Sequence, residues 1–500
     1  MNVAVEIKQD NSQEIEHLDV LVIGAGISGI DAAYHLKKEC PGKSFALLEN
    51  QESFGGTWIT HKYPGIRSDS DLYTFGYSWK PWSGPPIATA PEILKYLDES
   101  IDENDLRDAI RFNHEVKTAS WSDKEKRWML SIHRKDTDET FFISCNFLWM
   151  CQGYYRHSEG YTPDFPGAEH FKGRIAHPQT WPEDLDYKNK KVVVIGSGAT
   201  AATLIPAMAE DCAHITMLQR SPTYFFAAPN RNELVDTLRE LDVPEDWIHD
   251  IARRKVLSDQ QTITRRSFEE PEKLKKELID VAQQYLGNAI DVDPHFTPTY
   301  RPWRQRLARV PDGDLFQSIK SGKASVVTDQ IETFTENGIK LKSGAELEAD
   351  IILTATGFNM CVLGDIQFVI NGKPLNFADC WAHRGILYSG IPNMAWVFGY
   401  LRTSWTMRSD LVSGFVCRLL NHMKEKGLEM VTPELREEDK DMPELPFVDP
   451  ENFNAGYLNR SMDIMPKQGD RQPWIFSQNY YAEKDEIPAA DLEDGTLNYK

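Results

Sequence analysis

Two stretches of the sequence share one pattern, in which an apolar strand runs into a glycine-rich turn and then into a helix. They predict an α/β protein with two Rossmann-like dinucleotide-binding domains. One pattern covers residues 17–38, and the other begins at residue 190. A charged stretch at about 230–290 has helical spacing and few glycines, which predicts a helical insertion in the second domain. The length of 500 residues agrees with more than one domain, because single cores stop growing beyond about 250–300 residues.

The first pattern predicts a dinucleotide site. Residues 17–23 form a near-continuous apolar run, typical of a buried parallel strand, and Gly24, Gly26 and Gly29 follow with the spacing G-x-G-x-x-G. The first glycine permits the tight turn, the second lets a pyrophosphate approach the backbone, and the third lets helix and strand pack closely. Glu49 ends the next predicted strand, where a carboxylate accepts hydrogen bonds from both ribose hydroxyls. These elements in this order predict FAD.

The second pattern repeats this design with one informative difference. The apolar strand 190–195 leads into Gly196 and Gly198, and Ala201 takes the place of the third glycine. Arg220 follows the next strand, at nearly the interval that separates the turn from the acid in the first copy. An arginine here accommodates a 2′-phosphate, so the second site is predicted to bind NADPH. The alternative interpretation of Arg220 is a solvated surface arginine.

The predicted domain boundaries follow from these elements. Residues 1–155 form the first part of the FAD domain, with a β-meander at 110–133, and residues 156–385 form the NADPH domain. The apolar strand that starts at residue 349 and ends in Ala-Thr-Gly marks the crossover back, and residues 386–500 complete the FAD domain and the wall of the substrate site. The acidic tail from about Glu483 is interpreted as mobile surface.

Two longer patterns lie close to the turns. Residues 55–69 fit [A/G]-G-x-W-x-x-x-x-[F/Y]-P-[G/M]-x-x-x-D, with Asp69 at the last position. The second pattern, F-x-G-x-x-x-H-x-x-x-W-P, is met by Phe171, Gly173, His177, Trp181 and the proline that follows. A purely structural interpretation stays open, with His177 as a packed hinge residue and Trp181 as an anchor between domains. It suits Asp69 less well, because Asp69 lies in a polar run.

Both patterns match, at every fixed position, signatures of the class B flavin-dependent (Baeyer–Villiger) monooxygenases, and the chain resembles this family from residue 17 to about residue 480. The resemblance implies an FAD-containing enzyme that uses NADPH and O₂. It implies conversion of ketones to esters and oxidation of sulfides or thioamides through a C4a-peroxyflavin. Two alternatives stay open: a heteroatom oxygenase of the flavin-containing monooxygenase type without ketone activity, and a flavoprotein NADPH oxidase or sensor.

The glycine patterns and the resemblance together imply roles for individual residues. The residues expected to contact the flavin nucleotide are Gly24, Gly26, Ser28, Gly29, Glu49, Thr57, Trp58, Asp69 and Val116. Those expected to contact the nicotinamide nucleotide are Arg67, Ser68, Asp69, Gly196, Ser197, Gly198, Ala199, Thr200, Ala201, Ala202, Arg220 and Ser221. Arg306 matches the arginine beside the flavin ring. Its permanent charge stabilises an anionic oxygen adduct there, and Asp69 holds it in place.

Composition disfavours several other classes of protein function. A net charge of −21 disfavours nucleic-acid binding, which relies on cationic neutralisation of phosphates. The seven cysteines form no C-x-x-C pair and no zinc-ligand spacing, which predicts reduced thiols, a cytoplasmic location and no metal site, and disfavours a disulfide reductase. No apolar stretch reaches the ~18 residues of a membrane span. Peripheral membrane contact stays open, as do the natural substrate and the oligomeric state.

Overall fold

The structure is a computed structural model that describes residues 15–500, so residues 1–14 of the first predicted domain lie outside the described range. The α-helices in this range are α1 (Ile27–Glu39), α2 (Thr57–Thr60), α3 (Leu72–Phe75), α4 (Ala90–Glu103), α5 (Ala199–Met208), α6 (Glu233–Glu240), α7 (Glu245–Glu269), α8 (Pro271–Leu286), α9 (Asp314–Lys320), α10 (Trp405–Lys426), α11 (Gly456–Asn459) and α12 (Tyr480–Glu486).

The strands in the same range are β1 (Glu16–Ile23), β2 (Phe45–Leu48), β3 (Ile110–Arg111), β4 (His114–Ser122), β5 (Arg127–Arg134), β6 (Glu139–Met150), β7 (Tyr155–Gly160), β8 (Arg174–Ala176), β9 (Lys191–Ile195), β10 (His214–Gln219), β11 (Phe225–Ala228), β12 (Ala308–Pro311), β13 (Ala324–Thr328), β14 (Ile331–Thr335), β15 (Gly338–Leu341), β16 (Glu346–Glu348), β17 (Ile351–Thr354), β18 (Phe358–Met360), β19 (Gln367–Ile370), β20 (Lys373–Pro374), β21 (Ala382–His383), β22 (Leu387–Tyr388), β23 (Met394–Trp396), β24 (Val431–Pro433), β25 (Leu445–Pro446), β26 (Lys467–Gln468) and β27 (Leu497–Tyr499).

The first large sheet carries the first predicted turn. Within the described residues its strand order is β20-β19-β4-β5-β6-β1-β2-β3, with β23 added beside β6. β1 pairs in parallel with both β2 and β6, and Val20, Leu21 and Val22 are fully buried. A near-continuous apolar run is what a parallel strand covered on both faces requires. The predicted meander is present as the antiparallel strands β4 and β5, which extend this sheet through β6.

The second large sheet carries the second turn. Its order is β13-β10-β9-β17-β8 within the described residues, and every pair in it is parallel. The predicted strands appear as β9, β10 and β17, and α5 follows the turn after β9 as α1 follows the turn after β1. The predicted fold class, α/β with two Rossmann-like domains and a helical insertion in the second, is therefore confirmed.

The helical insertion consists of α6, α7 and α8, and it packs on the first domain as well as on its own. Val235, Ile248 and Ala252 join the same apolar core as α1 and α10. Arg253 on α7 is buried, and its Nη1 donates to the carbonyl of Gly76 at 2.9 Å. The insertion therefore contacts both domains. Its position in the sequence, inside the second domain, does not indicate the contact with the first.

Two adjacent segments, the crossovers β7 and β18, connect the two domains. β7 carries the chain out of the first domain and β18 carries it back, and the two pair as antiparallel strands. The chain then adds β19 to the first sheet beside β4, ahead of residue 386, the predicted start of the returning segment. We therefore propose that the second domain ends near residue 360, with the first boundary near residue 155 as predicted from the sequence.

The expectation of a mobile acidic tail is wrong. Glu483 on α12 is 5% exposed, and its Oε2 accepts hydrogen bonds from Arg408 Nε at 2.8 Å and Tyr400 Oη at 2.7 Å. Farther along, β27 pairs with β24 in antiparallel fashion. Acidic composition indicates a solvated surface only where no buried cation is available, and here Arg408 is fully buried.

Two further observations concern thiols and membranes. All seven cysteines fall within the described range, where they are free and buried. Among the helices of residues 15–500, none combines the length and the apolar composition that crossing a bilayer requires.

Candidate functional site

The first glycine turn joins β1 to α1. Gly24 has φ of +102°, and a Cβ built on it would lie 2.8 Å from the carbonyl oxygen of Cys151. A Cβ on Gly29 would overlap the carbonyl oxygen of Gly24, so helix and strand meet there at backbone distance. Gly26 precedes the first residue of α1. The amino terminus of α1 thus opens at the turn, where unpaired N–H groups and the helix dipole favour a phosphate.

The second turn joins β9 to α5 in the same way. Gly196 has φ of +125°, and a Cβ on it would overlap the carbonyl oxygen of Ala355. Gly198 precedes the first residue of α5, and no heavy atom lies within 4 Å of a Cβ built on it. The backbone at Gly198 is therefore open to a ligand, whereas Ala201 is fully buried and packs the helix on the strand.

The two residues that distinguish the turns have different surroundings. Glu49 is buried, and its carboxylate accepts hydrogen bonds from the backbone N–H of Ala25 at 2.8 Å and of Gln51 at 2.9 Å. Burial raises the pKa of Glu49, although these backbone hydrogen bonds oppose the rise. Arg220 is exposed directly after β10, and its guanidinium forms no ion pair within residues 15–500. Ser197 Oγ donates to the Ser221 carbonyl at 3.3 Å, which links the turn to this arginine segment.

Other predicted flavin residues gather around the first turn. Thr57 begins α2 and is exposed, and Trp58 packs edge to face on Phe75 with ring centroids 5.8 Å apart. Val116 is buried on β4, beside an irregularity in its pairing with β5. The hydroxyl of Ser28 accepts a hydrogen bond from Trp405 Nε1 at 2.7 Å, so it also joins α1 to α10.

Gln152, which follows β6 and passes beside the first turn, has a buried amide that suits a bound dinucleotide. Both amide atoms of Gln152 are buried, and neither has a hydrogen-bond partner within the described residues. Its Cα lies 3.1 Å from a Cβ built on Gly24. Buried polar groups are normally paired, so an unpaired amide beside a phosphate-binding turn fits a ligand that supplies the partner. The residues present therefore fit FAD.

The centre of the site is the ion pair between Arg306 and Asp69. Arg306 Nε and Nη2 donate to the two carboxylate oxygens of Asp69, each at 2.6 Å. Nη1 also donates to the carbonyl of Leu401 at 2.9 Å, and Nη2 donates to Ser70 Oγ at 3.0 Å. Three separate loops, before α3, β12 and α10, therefore hold one guanidinium in a single orientation.

Both members of this pair are charged. Burial acts to raise the pKa of Asp69, but the charge and hydrogen bonds of Arg306 outweigh it and leave that pKa below its usual value. Burial acts to lower the pKa of Arg306, but Asp69 outweighs it and raises that pKa further. The guanidinium is consequently a permanent, fixed positive charge.

Two neighbouring residues fix the loop that carries Asp69. Arg67 binds it to the second domain, and Ser68 forms a hydrogen bond within the loop. Arg67 Nη1 donates to Asp314 Oδ2 at 2.5 Å, and Nη2 reaches the carbonyl of Ala202 at 3.4 Å. Ser68 is buried, and its hydroxyl donates to the Ser70 carbonyl at 2.8 Å. A Cβ built on Gly65 would lie 3.0 Å from the carbonyl oxygen of Thr203 on α5. The loop that carries Asp69 therefore contacts α5, the helix that follows the second glycine turn.

His177, which follows β8, packs against the two crossovers. His177 Nε2 is 3.1 Å from the carbonyl oxygen of Gly357, and its ring covers Gly160 so closely that a Cβ there would overlap it. A Cβ on Gly173 would likewise overlap the Asp350 carbonyl oxygen. Burial lowers the pKa of His177. These contacts favour the hinge interpretation of His177.

The two aromatic members of the signature are packing residues in the structure. Phe171 is buried and packs edge to face on Phe334, with ring centroids 6.5 Å apart. Trp181 is half-buried and packs edge to face on Tyr187, with centroids 6.2 Å apart. Both contacts lie within the second domain, so this contact of Trp181 packs that domain and does not join it to the first.

Three half-buried tyrosines near the ion pair were missed from the sequence. Tyr154 Oη donates to Tyr155 Oη at 3.0 Å, and the ring of Tyr457 lies 5.4 Å from that of Tyr155. Burial raises the pKa of all three, and the charge of Arg306 opposes the rise at Tyr154 and Tyr457. A usable signal existed for Tyr154 and Tyr155, because they follow the carboxyl end of β6, where such sheets bind ligands. None existed for Tyr457.

A cavity opens beside the ion pair and extends under the insertion. Its wall includes Asp69 and Arg306, the apolar side chains Phe226, Ile263 and Leu307, and Arg402. Ile263 lies on α7, in the stretch where the sequence shows no chemistry. The arrangement places a fixed cation in the wall of a cavity that also has apolar residues, which suits a small organic substrate.

Comparisons with known proteins agree with this architecture. A family model described as "NAD(P)-binding Rossmann-like domain" matches residues 22–90, and one described as "Flavin-binding monooxygenase-like" matches residues 81–231. The solved structure of an oxidized steroid monooxygenase bound to NADP matches with a TM-score of 0.73, covering 97% of this chain and 99% of that one. At 22% sequence identity, it shows a shared fold.

Two relatives are similar over almost the whole chain. The FAD-containing monooxygenase EthA of Mycolicibacterium smegmatis is 47% identical, covering 97% of this chain and 97% of its own. The probable FAD-binding monooxygenase AlmA of Acinetobacter baylyi is 44% identical, covering 97% of this chain and 96% of its own. Identity at this level over this length confirms the family resemblance, and the chain belongs to the family of FAD-containing flavin monooxygenases.

Proposed function

We propose that this chain is an NADPH- and O₂-dependent monooxygenase of the Baeyer–Villiger type, which converts ketones to esters and oxidises sulfides or thioamides. The observation that carries the proposal is the guanidinium of Arg306, held by both oxygens of Asp69 in the wall of the cavity. Oxygen transfer to a carbonyl develops negative charge, and a fixed cation stabilises that charge without reorganising.

The residues around the two turns would hold the cofactors. The amino terminus of α1 and Glu49 would bind the pyrophosphate and the ribose of FAD, and the second turn and Arg220 would bind NADPH, with Arg220 at its 2′-phosphate. The NADP in the related solved structure supports the choice of nucleotide. Bound together, the cofactors supply the hydride that NADPH donates and the flavin that activates O₂.

The protein's own groups then orient the reactants and exclude water. Arg306 keeps one orientation because Asp69, Ser70 and Leu401 bind separate parts of its guanidinium. The half-buried tyrosines and the apolar residues of the cavity wall limit the access of bulk water to the reacting atoms, which strengthens the electrostatic effect of Arg306. No protein group has to gain or lose a proton for this stabilisation, because arginine stays charged.

The test is a substrate screen with the purified holoenzyme. NADPH consumption and O₂ uptake are measured with linear ketones, cyclic ketones and thioethers, and products are identified by mass spectrometry under heavy-isotope oxygen gas. We expect esters from ketones and sulfoxides from thioethers, each with one labelled oxygen atom. Sulfoxides without any ester would identify a heteroatom oxygenase, and NADPH consumption with hydrogen peroxide as the only product would identify an oxidase.

Arg220 offers a separate prediction about the nucleotide. Replacing Arg220 by Ala is expected to raise the KM for NADPH by about 10-fold or more, because a charge-assisted hydrogen bond to the phosphate contributes roughly 1.5–3 kcal/mol. The KM for NADH, which lacks that phosphate, should change little. Arg254→Ala is the matched control, since Arg254 is an exposed arginine paired with Asp250 on α7. Equal changes for both nucleotides at Arg220→Ala would show that this side chain does not bind the phosphate.

A further inference from the structure

Arg402 is a charged residue of the cavity that the proposed function does not use. It follows Leu401, whose carbonyl accepts the hydrogen bond from Arg306, and it lines the same cavity as Arg306. Its Nη1 is buried, and neither a hydrogen bond nor an ion pair engages its guanidinium within residues 15–500. Burial, followed by the charge of Arg301, lowers the pKa of Arg402.

The other arginines of this region have partners. Arg306 is neutralised by Asp69, and Arg309 lies 3.8 Å from a carboxylate oxygen of Asp71. Arg301 stacks on the ring of Phe268 and donates to Ser267 Oγ at 3.0 Å and to the carbonyls of Pro302 and Glu451. Arg402 faces the same Phe268 ring at 5.6 Å, but it alone of these four arginines has neither a hydrogen-bond acceptor nor an ion-pair partner within the described residues. Arg402 is half-buried, and its buried Nη1 lacks an acceptor, so the site is suited to an anion that supplies one.

The rest of the cavity wall is partly apolar and partly polar. Its apolar residues are Phe226, Ile263, Trp303 and Leu307, so a ligand that reaches Arg402 contacts hydrocarbon over part of its length, and its polar residues include Ser70, Gln260, Arg309, Thr403 and Ser404. Gln260 on α7 accepts a hydrogen bond from Thr403 Oγ1 at 2.6 Å, which fixes the insertion against the loop that carries Arg402. The cavity therefore offers a cation at one point and apolar surface beside it.

We propose that Arg402 binds the carboxylate of the substrate, and that the preferred substrates are amphipathic acids: ketones or thioethers that carry a carboxylate on an aliphatic chain. The proposal rests on the proposed function and adds the substrate class. A guanidinium matches a carboxylate in geometry and charge, and such hydrogen bonds are stronger than neutral ones. Arg402 would position the substrate, while Arg306 acts at the reacting carbonyl.

The test compares two substrates that differ only in charge. The first substrate is the oxooctanoate whose keto group is next to the terminal methyl group, far from the carboxylate. The second is the methyl ester of the same acid, which has no charge. With the wild-type holoenzyme we expect kcat/KM for the acid to exceed that for the ester by about 10-fold or more. Arg402→Met should remove this preference, because the KM for the acid should rise far more than the KM for the ester. Arg402→Lys should restore part of it, and Arg301→Met, the matched control, should keep it.

A binding measurement makes the test independent of turnover. Octanoate should inhibit oxidation of the neutral ester competitively in the wild type, and its inhibition constant should rise by about 10-fold in Arg402→Met. The inference is overturned if the wild type oxidises acid and ester equally well, if Arg402→Met keeps the preference, or if Arg402→Met raises the KM for NADPH instead. Turnover of the ester separates the two proposals, because failure to oxidise any ketone or thioether would contradict the proposed function itself.

Discussion

Replacing Arg306 by alanine is expected to lower the rate of ester formation by about 10²–10³-fold, the usual cost of removing a group that stabilises charge in a transition state. FAD should stay bound, because the flavin turn is built from other residues. NADPH oxidation should continue and release hydrogen peroxide, since the reaction then lacks the cation that directs oxygen to the carbonyl. The measurements are flavin content, O₂ uptake and ester yield from the same preparation.

Two further variants make this result specific. Arg306→Lys keeps a positive charge but cannot donate to both oxygens of Asp69 in parallel, so its ester yield should lie between those of wild type and Arg306→Ala. Arg304→Ala is the matched control, because Arg304 lies two residues away and pairs with the exposed Glu451. An Arg306→Ala protein that makes ester at a near-normal rate would remove the basis of the proposed function.

Replacing Arg408 by methionine is expected to destabilise the protein by about 3–5 kcal/mol, because it leaves a buried carboxylate without its partner. Arg408 is fully buried on α10, and besides Glu483 it donates to the carbonyls of Gly385 at 3.1 Å and Phe398 at 3.0 Å. Unfolding in urea, followed by far-ultraviolet circular dichroism and by flavin fluorescence, measures the loss.

The matched control lies on the same helix and contacts the same carboxyl-terminal segment. Lys426 pairs with Glu493 at 3.1 Å on the surface, so Lys426→Met should cost less than about 1 kcal/mol. The double variant Arg408→Met with Glu483→Gln should recover part of the loss, since no buried charge is then left unpaired. If Arg408→Met were as stable as wild type, the buried pair would not anchor the tail.

The two glycine turns show how far local sequence can be interpreted. Gly24 and Gly196 have positive φ, and a side chain at either would meet the backbone that follows the neighbouring strand in its sheet. Only glycine fits such a position, so the residue type itself indicates the conformation. The same holds for the apolar runs of β1 and β9, because only a strand covered on both faces is apolar at nearly every position. These signals involve a few neighbouring residues, and they correctly predicted both sheets and the helices that follow the turns.

Interactions between distant residues were harder to predict. The pairing of Asp69 with Arg306 was expected only through the family resemblance, and its partners Ser70 and Leu401 were not expected at all. The charge of Arg408, the tyrosine at position 457 and the packing of α7 on the first domain carry no periodic signal. Each depends on which segment of a long chain folds against which other, and that is set by the summed burial of many side chains.

By itself, the sequence determined the fold class, the two nucleotide turns, the helical insertion and the family, because these depend on spacing within short segments. Only the tertiary structure decided that the acidic tail is packed, that His177 packs against the crossovers, and that Arg402 has no charged or hydrogen-bonded partner among residues 15–500. Burial and pairing of charges are properties of three-dimensional neighbours, and the sequence does not state which neighbours those are.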